Sequence, residues 1–319
     1  MKRRSVAAQG LALGVAAAVL WWLGTNTATT LDERGIPLGF GFLRQPANFE
    51  IGDAPIAYSP SDSFVRALLV GLANTARVSV LGWVFAILLG FVLGILRLSA
   101  NPAVRGVARG VVELVRNVPL LLLLLFLAAT MHTLPPPRAA LEALPGVFIS
   151  DRGLVMPWLS VVDGRWVFER PVLQGFNFVG GLTISPELTA LLAALVLHHG
   201  AHISEVVRGA VLAVSARQRD AAFALGLSRA QTMRFVIVPQ ALRAMVPLLA
   251  TNCVSLTKNS SLAVAIGFPD LVSILNTTAN QTGHAIETML IMIVVYLTLS
   301  LVVAAAMNAY NRRLLRPGG

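Results

Sequence analysis

The chain has 319 residues, of which 56% are hydrophobic and only 13% are charged. Soluble domains carry roughly 25% charged residues, so most of this surface does not face water. The net charge of +10 does not indicate nucleic-acid binding, because the basic residues stand at the ends of apolar runs and not on a water-facing patch. A single cysteine, Cys253, excludes an internal disulfide and a cysteine-based metal site. The composition predicts an all-α integral membrane protein.

Six apolar runs approach the roughly 20 residues that a membrane-spanning helix needs. The first run follows a basic cluster, which also suits a cleaved signal peptide. Its end at Trp21-Trp22 is typical of an interface anchor and favours a retained span. The fifth run is interrupted by Lys258. The predicted spans are residues 6–23, 78–96 (with a helix that starts near Val65), 118–134, 188–203, 244–268 and 288–309.

The charges of the loops predict the orientation of the chain. With the N-terminus inside, most of the 25 Lys and Arg residues fall in cytoplasmic segments. Those segments contain only three acidic residues, which are Glu113, Glu205 and Asp220. Positive charge stays on the cytoplasmic side, so we expect both termini to be cytoplasmic.

Two outer segments, 24–64 and 135–187, are long enough to have structure of their own. The second begins with three prolines and contains Asp163-Gly164 between two β-prone runs. This dipeptide in such a position is a strong signal for a tight β-hairpin turn. We therefore expect a small folded element outside the membrane, with a hairpin over residues 159–168.

The inner loop between the fourth and fifth spans carries two helix-start signals. Ser215 with Gln218, and Ser228 with Gln231, match the capping box, in which a hydroxyl and an amide bond reciprocally. The first predicted helix covers residues 216–225 and ends at Gly226, a residue that tolerates the left-handed conformation.

The second predicted helix ends at about Ile237, because Pro239 disfavours a helical conformation at the preceding residue. Ala221 and Ala222, at the centre of the first helix, would let another surface approach closely. On these residues alone, two interpretations stay open. The helices either dock into a groove on a partner protein or lie as a basic pair on the membrane.

The same loop carries a family resemblance. Asp220-Ala221-Ala222, then Gly226, then Ile237-Val238-Pro239 resembles the EAA loop of importer-type ABC permeases, with Asp in place of the usual Glu. In that family the loop is a coupling helix that docks into a cleft on the cytosolic ATPase. The resemblance implies that the ATPase-coupling residues are Asp220, Ala221, Ala222, Gly226, Ile237 and Pro239.

The chain contains no phosphate-binding Walker sequence. If ATP drives transport, another chain must bind it. We therefore expect no catalytic residue, no metal and no cofactor in this chain, which would not itself be an enzyme. ATP and Mg²⁺ would be bound by the partner ATPase.

Further motifs resemble those of the polar amino-acid (HisMQ) permeases. Among these, the long second outer segment and the run at residues 180–187 are most similar to the general L-amino-acid permeases of the AapQ/BztB type. The resemblance covers roughly residues 60–311. The motifs are at residues 74–79, 97–99, 116–120, 205–209, 258–262 and 308–310.

This resemblance implies a type I importer permease core over residues 65–311. The core would include an outer insertion at 135–187 and the coupling loop at 204–243, with an N-terminal helix and outer segment at 1–64 and a basic tail at 312–319. It also implies a bacterial inner-membrane location and an assembly with two ATPase copies. A second permease (a homologue or another copy of this chain) and a periplasmic amino-acid-binding protein would complete the assembly.

Polar residues inside the spans are candidates for the substrate pathway, because they are costly in a membrane. Arg77 could bind a substrate carboxylate or extend to the lipid headgroups. Lys258, Asn259 and Ser260 interrupt the fifth span, and such breaks often line a translocation path; a buried pair between Lys258 and a carboxylate is the alternative. The residues predicted to line the pathway are Asn74, Thr75, Arg77, Asn117, Lys258, Asn259 and Ser260.

Two other features of the spans have structural interpretations. His198, His199 and His202 could suggest a metal site, but a polar patch between packed helices is favoured. Gly90 and Gly94, four residues apart, should let two helices pack closely.

Two other functional classes fit the sequence less well. A self-contained secondary transporter or channel would need coupling groups, but no Asp or Glu lies in the middle of a span. An intramembrane hydrolase would need a nucleophile and a base. Ser255-Leu-Thr-Lys258 matches an acyl-enzyme motif only formally, since no second motif accompanies it.

Overall fold

The computed structural model describes residues 2–33, 35, 38–162 and 165–315. Its helices are α1 (Lys2–Glu33), α2 (Phe64–Leu96), α3 (Pro102–Asn117), α4 (Leu120–His132), α5 (Pro186–Ala213), α6 (Ala216–Ala224), α7 (Arg229–Thr232), α8 (Val238–Asn259), α9 (Leu271–Thr282) and α10 (Ala285–Leu315). Within the described residues, four helical segments are long and apolar enough to cross a membrane, or five if a bent pair counts as one span. Helix α1 covers the first predicted span, and the total of six stays a prediction.

Helix α4 covers most of the third predicted span and follows directly on a sharp corner. Helices α3 and α4 meet at an angle of 101°, and the residue at the corner, Val118, is extended because it precedes Pro119. Helix α4 alone has 13 residues, which gives a length of about 20 Å. This is shorter than the roughly 30 Å of a hydrocarbon core. Residues 120–132 are helical, in agreement with the predicted span at 118–134, and the crossing of the membrane by this helix, alone or together with α3, stays a prediction.

Helices α2 and α5 form the closest pair in the core. A Cβ at Gly90 would overlap the side chain of Ile203, and one at Gly94 would lie 2.7 Å from Cβ of Val207. The expectation that Gly90 and Gly94 permit close packing is confirmed. Buried apolar side chains fill the space between α2, α4, α5 and α8. They include Val78, Leu124, Leu191, Leu195, Met245 and Leu256.

The second outer segment is richer in β-structure than the sequence suggested. Strands β1 (Leu141–Leu144), β2 (Val147–Ser150), β3 (Gly153–Met156) and β8 (Leu182–Ile184) form an antiparallel sheet in the order β1-β2-β3-β8. Two further antiparallel pairs are β4 (Trp158–Val162) with β5 (Arg165–Glu169), and β6 (Val172–Gln174) with β7 (Asn177–Val179).

Strands β4 and β5 flank the predicted hairpin turn. Leu159 pairs with Phe168, and Val162 pairs with Arg165. Asp163 and Gly164 themselves lie outside the described residues, so the turn stays a prediction.

Helix α9 was not predicted, because its sequence is polar and follows directly on the fifth span. Its capping residues carry the signal that could have found it. Asp270 accepts a hydrogen bond from the backbone N–H of Ser273 at the start of the helix. Gly283 ends the helix with a φ of +75°.

Candidate coupling loop and translocation path

The first helix of the inner loop, α6, ends in a rigid turn. Gly226 has a φ of +80°, and its N–H donates to the carbonyl of Phe223 at 2.9 Å. The N–H of Leu227 donates to the carbonyl of Ala222 at 3.1 Å. These two bonds form a Schellman motif, and the predicted end of the helix at Gly226 is confirmed.

The start of α6 differs from the prediction. The side chain of Ser215 makes no capping hydrogen bond. The N–H of Gln218 donates instead to the backbone carbonyl of Ser215 at 3.2 Å. The first predicted capping box is therefore wrong, because the backbone carbonyl takes the place of the hydroxyl.

The second capping box is confirmed. Oγ of Ser228 accepts from the N–H of Gln231 at 3.3 Å, and Oε1 of Gln231 accepts from the N–H of Ser228 at 2.8 Å. The helix that begins here does not stop before Pro239, however. It passes through a π-helical turn over Met233–Ile237 into α8, and Val238 is helical, with φ −57° and ψ −46°. The predicted break at Val238 is wrong, because a wider turn relieves the clash of a proline ring with the preceding turn.

The predicted coupling residues divide into two groups by exposure. Ala222 is only 3% exposed and Ile237 is also buried, so both pack inside this chain. Asp220, Ala221, Gly226 and Pro239 are exposed. The first group shapes the loop, and the second is available to a partner.

One exposed apolar residue at the tip of the loop was not predicted from the sequence. Leu225, directly before the capping glycine, is 82% exposed. Phe223, two residues earlier, is partly exposed as well. The sequence did contain a signal for this exposed surface. Large apolar side chains directly before a glycine that ends a helix are often exposed at the helix end.

The predicted pathway residues of α2 belong to a polar cluster near the start of that helix. Nδ2 of Asn74 donates to the carbonyls of Asp53 at 2.6 Å and Pro269 at 2.9 Å. Oγ1 of Thr75 accepts from the N–H of Leu271 at 3.1 Å. The side chains of Asn74 and Thr75 are fully buried, so in this conformation they hold elements of the fold together.

Arg77 has a carboxylate partner that the sequence analysis did not identify. Its guanidinium donates to Oδ1 of Asp53 at 2.7 Å, and Oδ2 of Asp53 accepts from the Ser185 hydroxyl, at the start of α5, at 3.0 Å. Asp53 thus links the first outer segment to α2 and α5. The pairing of two residues so far apart in sequence left no local signal.

The predicted interruption of the fifth span coincides with a change of helix type. Helix α8 ends at Asn259, and a 3₁₀ helix covers Ser260–Ile266. Lys258 is exposed and makes no salt bridge within the described part of the chain. With Ser261 and Tyr296 it lines a surface cavity of about 470 Å³.

Asn259 and Ser260 face the interior of the helix bundle. Nδ2 of Asn259 lies 3.2 Å from Nε2 of His199 on α5, and Ser260 is buried and donates to the carbonyl of Thr257. The contact with His199 supports a packing function for at least one of the three histidines. Asn117, by contrast, is exposed at the corner between α3 and α4.

The family described as "Binding-protein-dependent transport system inner membrane component" matches residues 86–316, which is most of the chain. The chain belongs to this family. The matched part of this binding-protein-dependent permease contains the coupling loop and helices α3 to α10. Asp53 and the first part of α2 precede it.

Individual relatives and a solved structure are similar to the permease over most of its length. AapQ of Rhizobium johnstonii, a general L-amino acid transport system permease protein, is 35% identical over 98% of this chain and 92% of its own. BztB of Rhodobacter capsulatus, a glutamate/glutamine/aspartate/asparagine transport system permease protein, is 33% identical over 97% of this chain and 93% of its own. A structure described as an amino acid ABC transporter with histidines is 23% identical, with a TM-score of 0.59 over 78% of this chain and 95% of that chain. It has the same fold.

Proposed function

We propose that this chain is the membrane-spanning permease subunit of an amino-acid importer driven by a separate ABC ATPase. The likeness to AapQ and BztB along nearly the whole chain supports the substrate class. The observation that carries the mechanism is the exposed tip of α6, where Leu225 stands beside the rigid turn at Gly226. ATP and Mg²⁺ are bound by the ATPase and not by this chain.

The coupling loop docks onto the ATPase through the exposed side of α6. Asp220, Ala221 and Leu225 offer a charge, a close-approach position and an apolar side chain within two turns of helix. A short helix that presents such residues suits a groove on a partner protein. Ala222 and Ile237 support this surface from behind, because both are buried against the chain itself.

The assembly contains two such docking sites. One ATPase binds this chain, and a second binds the other permease, which is either a homologue or another copy of this chain. The complex lies in the bacterial inner membrane with both termini of this chain cytoplasmic, and a periplasmic amino-acid-binding protein delivers the substrate from the outside.

The substrate passes beside the end of α8. An amino-acid zwitterion carries two charges that cannot enter hydrocarbon unpaired without a large desolvation cost. Lys258, Asn259 and Ser260 supply polar groups where the α-helix changes to a 3₁₀ helix. Asn117 stands at the opposite end of the bundle from Asn74, Thr75 and Arg77. These last three take part only when their contacts with Asp53, Pro269 and Leu271 open.

The test is reconstitution of the permease with its ATPase and binding protein in proteoliposomes. We expect single amino acids, with the binding protein, to stimulate ATP hydrolysis and to accumulate inside. If none of the amino acids tested does so, the substrate class is wrong.

The docking surface is tested separately by co-purification in mild detergent. Leu225→Asp places a charge at the tip of α6 and should abolish recovery of the ATPase with the permease. Leu159→Asp is the matched control, because Leu159 is also an exposed leucine but lies in the outer β-structure. Wild-type recovery of the ATPase with Leu225→Asp would show that this surface does not dock.

A further inference from the structure

A basic cavity lies beside the end of α2, and its lining shares no residue with the exposed side of α6 or with the proposed path. It has a volume of about 430 Å³, within the range of small-molecule sites in proteins. Five guanidinium groups and two carboxylates surround it, which leaves an excess of three positive charges. The lining residues are Arg97, Arg105, Arg109, Glu113, Arg116, Glu205 and Arg208.

Three of the five arginines bond directly to the two carboxylates. Glu205 accepts from Arg97 at 2.7 Å and also from Arg208. Glu113 accepts from Arg109 at 2.7 Å. These bonds fix the walls of the cavity.

The other two arginines have weaker partners within the described residues. Arg116 lies 3.8 Å from Oε2 of Glu205, which is longer than a hydrogen bond. Arg105 donates to the carbonyl of Ser99 at 3.3 Å. In addition, Nε of Arg208 is buried with no hydrogen-bond acceptor in this part of the chain. The cavity therefore has more donors than acceptors, and like charges stand close together.

Helix α3 positions this cavity at a membrane surface. Its exposed apolar residues Val104, Val107, Val111 and Leu114 recur at the spacing of one helix face. Arg105, Arg109 and Arg116 fall on the opposite side. Because α3 turns 101° away from α4, it suits a helix that lies in the plane of the membrane with its apolar face in the lipid. Its arginines are then at the level of the phospholipid headgroups.

We propose that this cavity binds a phosphate group, carried either by an anionic phospholipid or by a soluble phosphorylated molecule. Arg105 and Arg116 make the direct contacts, since a guanidinium can bind two phosphate oxygens in one plane. Arg97 and Arg208, held by Glu205, supply the positive wall behind them. Basic pockets beside spanning helices on the cytoplasmic side are typical sites for anionic headgroups.

The experiment measures the thermal stability of the purified full chain in detergent, followed by tryptophan fluorescence, during a titration with inorganic phosphate. Chloride keeps the ionic strength constant. We expect a saturable stabilisation of the wild type and an apparent affinity about tenfold weaker, or worse, in the Arg105→Gln, Arg116→Gln double variant. The control, Arg229→Gln with Arg243→Gln, removes the same charge from outside the cavity and should titrate like the wild type.

A second pair of samples identifies the source of the phosphate. The wild type is placed in nanodiscs of neutral phosphatidylcholine, with or without anionic phosphatidylglycerol. Extra stability with phosphatidylglycerol that the double variant lacks indicates a lipid headgroup; a response to inorganic phosphate alone indicates a soluble ligand.

If the double variant does not fold, Arg105→Lys with Arg116→Lys takes its place. It keeps the charge but loses the two-pronged contact, so a smaller loss of affinity is expected. The proposal is overturned if the wild type shows no saturable response to phosphate or phosphatidylglycerol, or if the cavity variant that folds responds as the wild type does.

Discussion

Two neighbouring alanines in α6 have opposite surroundings. Ala221 is exposed, whereas Ala222 is buried against its own chain. The sequence predicted that both small residues permit the close approach of another surface; in the structure Ala222 is packed against its own chain, and for Ala221 the inference stays a prediction. The sequence could not say whether the approaching surface belongs to a partner or to this chain, because the rotation of a short helix is set by the residues that pack behind it.

This difference gives a paired prediction. Ala222→Trp forces a large ring into a packed interior and should lower the free energy of unfolding by about 1–3 kcal/mol or more. Ala221→Trp should leave the melting temperature near the wild-type value and still prevent co-purification of the ATPase. Thermal denaturation of both variants, beside the co-purification assay, separates the two effects. A wild-type melting temperature for Ala222→Trp would contradict the inward packing.

Asp270 gives the fold a pH dependence. Its side chain is 1% exposed, and its carboxylate accepts from the N–H of Ser273 at 2.8 Å. Burial raises the pKa of Asp270 from 3.8 to about 7, because removal of water disfavours the charged form. Between these values the folded protein holds a proton that the unfolded chain releases. Because the folded state binds this proton more tightly, Asp270 makes the free energy of unfolding larger at low pH than at high pH. This gain is fully present below pH 4 and is lost as the pH rises to about 7.

The prediction from Asp270 is tested by the melting temperature in detergent at pH 5 and pH 8. The wild type should melt at a lower temperature at pH 8 than at pH 5. Asp270→Asn keeps a capping side chain but cannot ionise, so its melting temperature should fall by less over the same range. Equal falls in the two proteins would show that Asp270 does not titrate in this way.

At the scale of helices and strands, local sequence rules worked where the signal was local. The end of α6 at Gly226 and the capping box at Ser228 follow from short motifs. Two Val-Pro pairs show the limit of such rules. Val118 before Pro119 is extended at a sharp corner, whereas Val238 before Pro239 is helical. Both valines have the same preference for an extended conformation before proline. At Val238 the preceding π-helical turn removes the clash that causes this preference, and the sequence does not indicate such a turn.

The outer β-structure and the polar clusters were less predictable for two physical reasons. Most strands of the outer β-structure have three or four residues, which is too few to establish an alternating pattern of apolar and polar residues. The contacts of Asp53 with Arg77 and Ser185 join residues that are 24 and 132 positions apart. Such pairs depend on how the helices assemble. The sequence therefore shows which polar residues lie in the spans but does not show which residues they contact.

The packing of α2 on α5 gives a prediction for two glycines. Gly90→Val places its side chain in the space of Ile203 and should lower the free energy of unfolding by about 1–3 kcal/mol or more. Gly106→Val on α3 is the matched control, because nothing lies within 4 Å of its added Cβ and valine is a better helix former than glycine. Its stability should be unchanged or slightly higher. Thermal denaturation of both variants checks the contrast, and similar stabilities would argue against close packing at Gly90.

For the whole molecule, helices α2 and α5 form a close pair with contacts at three levels. Asp53 bridges Arg77, in the first half of α2, and Ser185, directly before α5. In the last two turns of α2 the small surface of Gly90 and Gly94 lets the helices approach.

Directly after α2, Arg97 bonds to Ser204 and Glu205 of α5. The two helices therefore run parallel. Their basic ends lie together, as the positive-inside rule requires of two spans that cross in the same direction.

This arrangement predicts which parts of the chain reach each side of the membrane. Cys253 is the only cysteine and is buried, so Cys253→Ala provides a background for single cysteines at Ser5, Leu159 and Arg217. A membrane-impermeant maleimide applied to spheroplasts should label Leu159→Cys alone. Ser5→Cys and Arg217→Cys should react only after the membrane is opened, because the proposed orientation places the N-terminus and the coupling loop in the cytoplasm. Labelling of Ser5→Cys from outside would mean that α1 does not cross the membrane, while labelling of Arg217→Cys would reverse the orientation of the core.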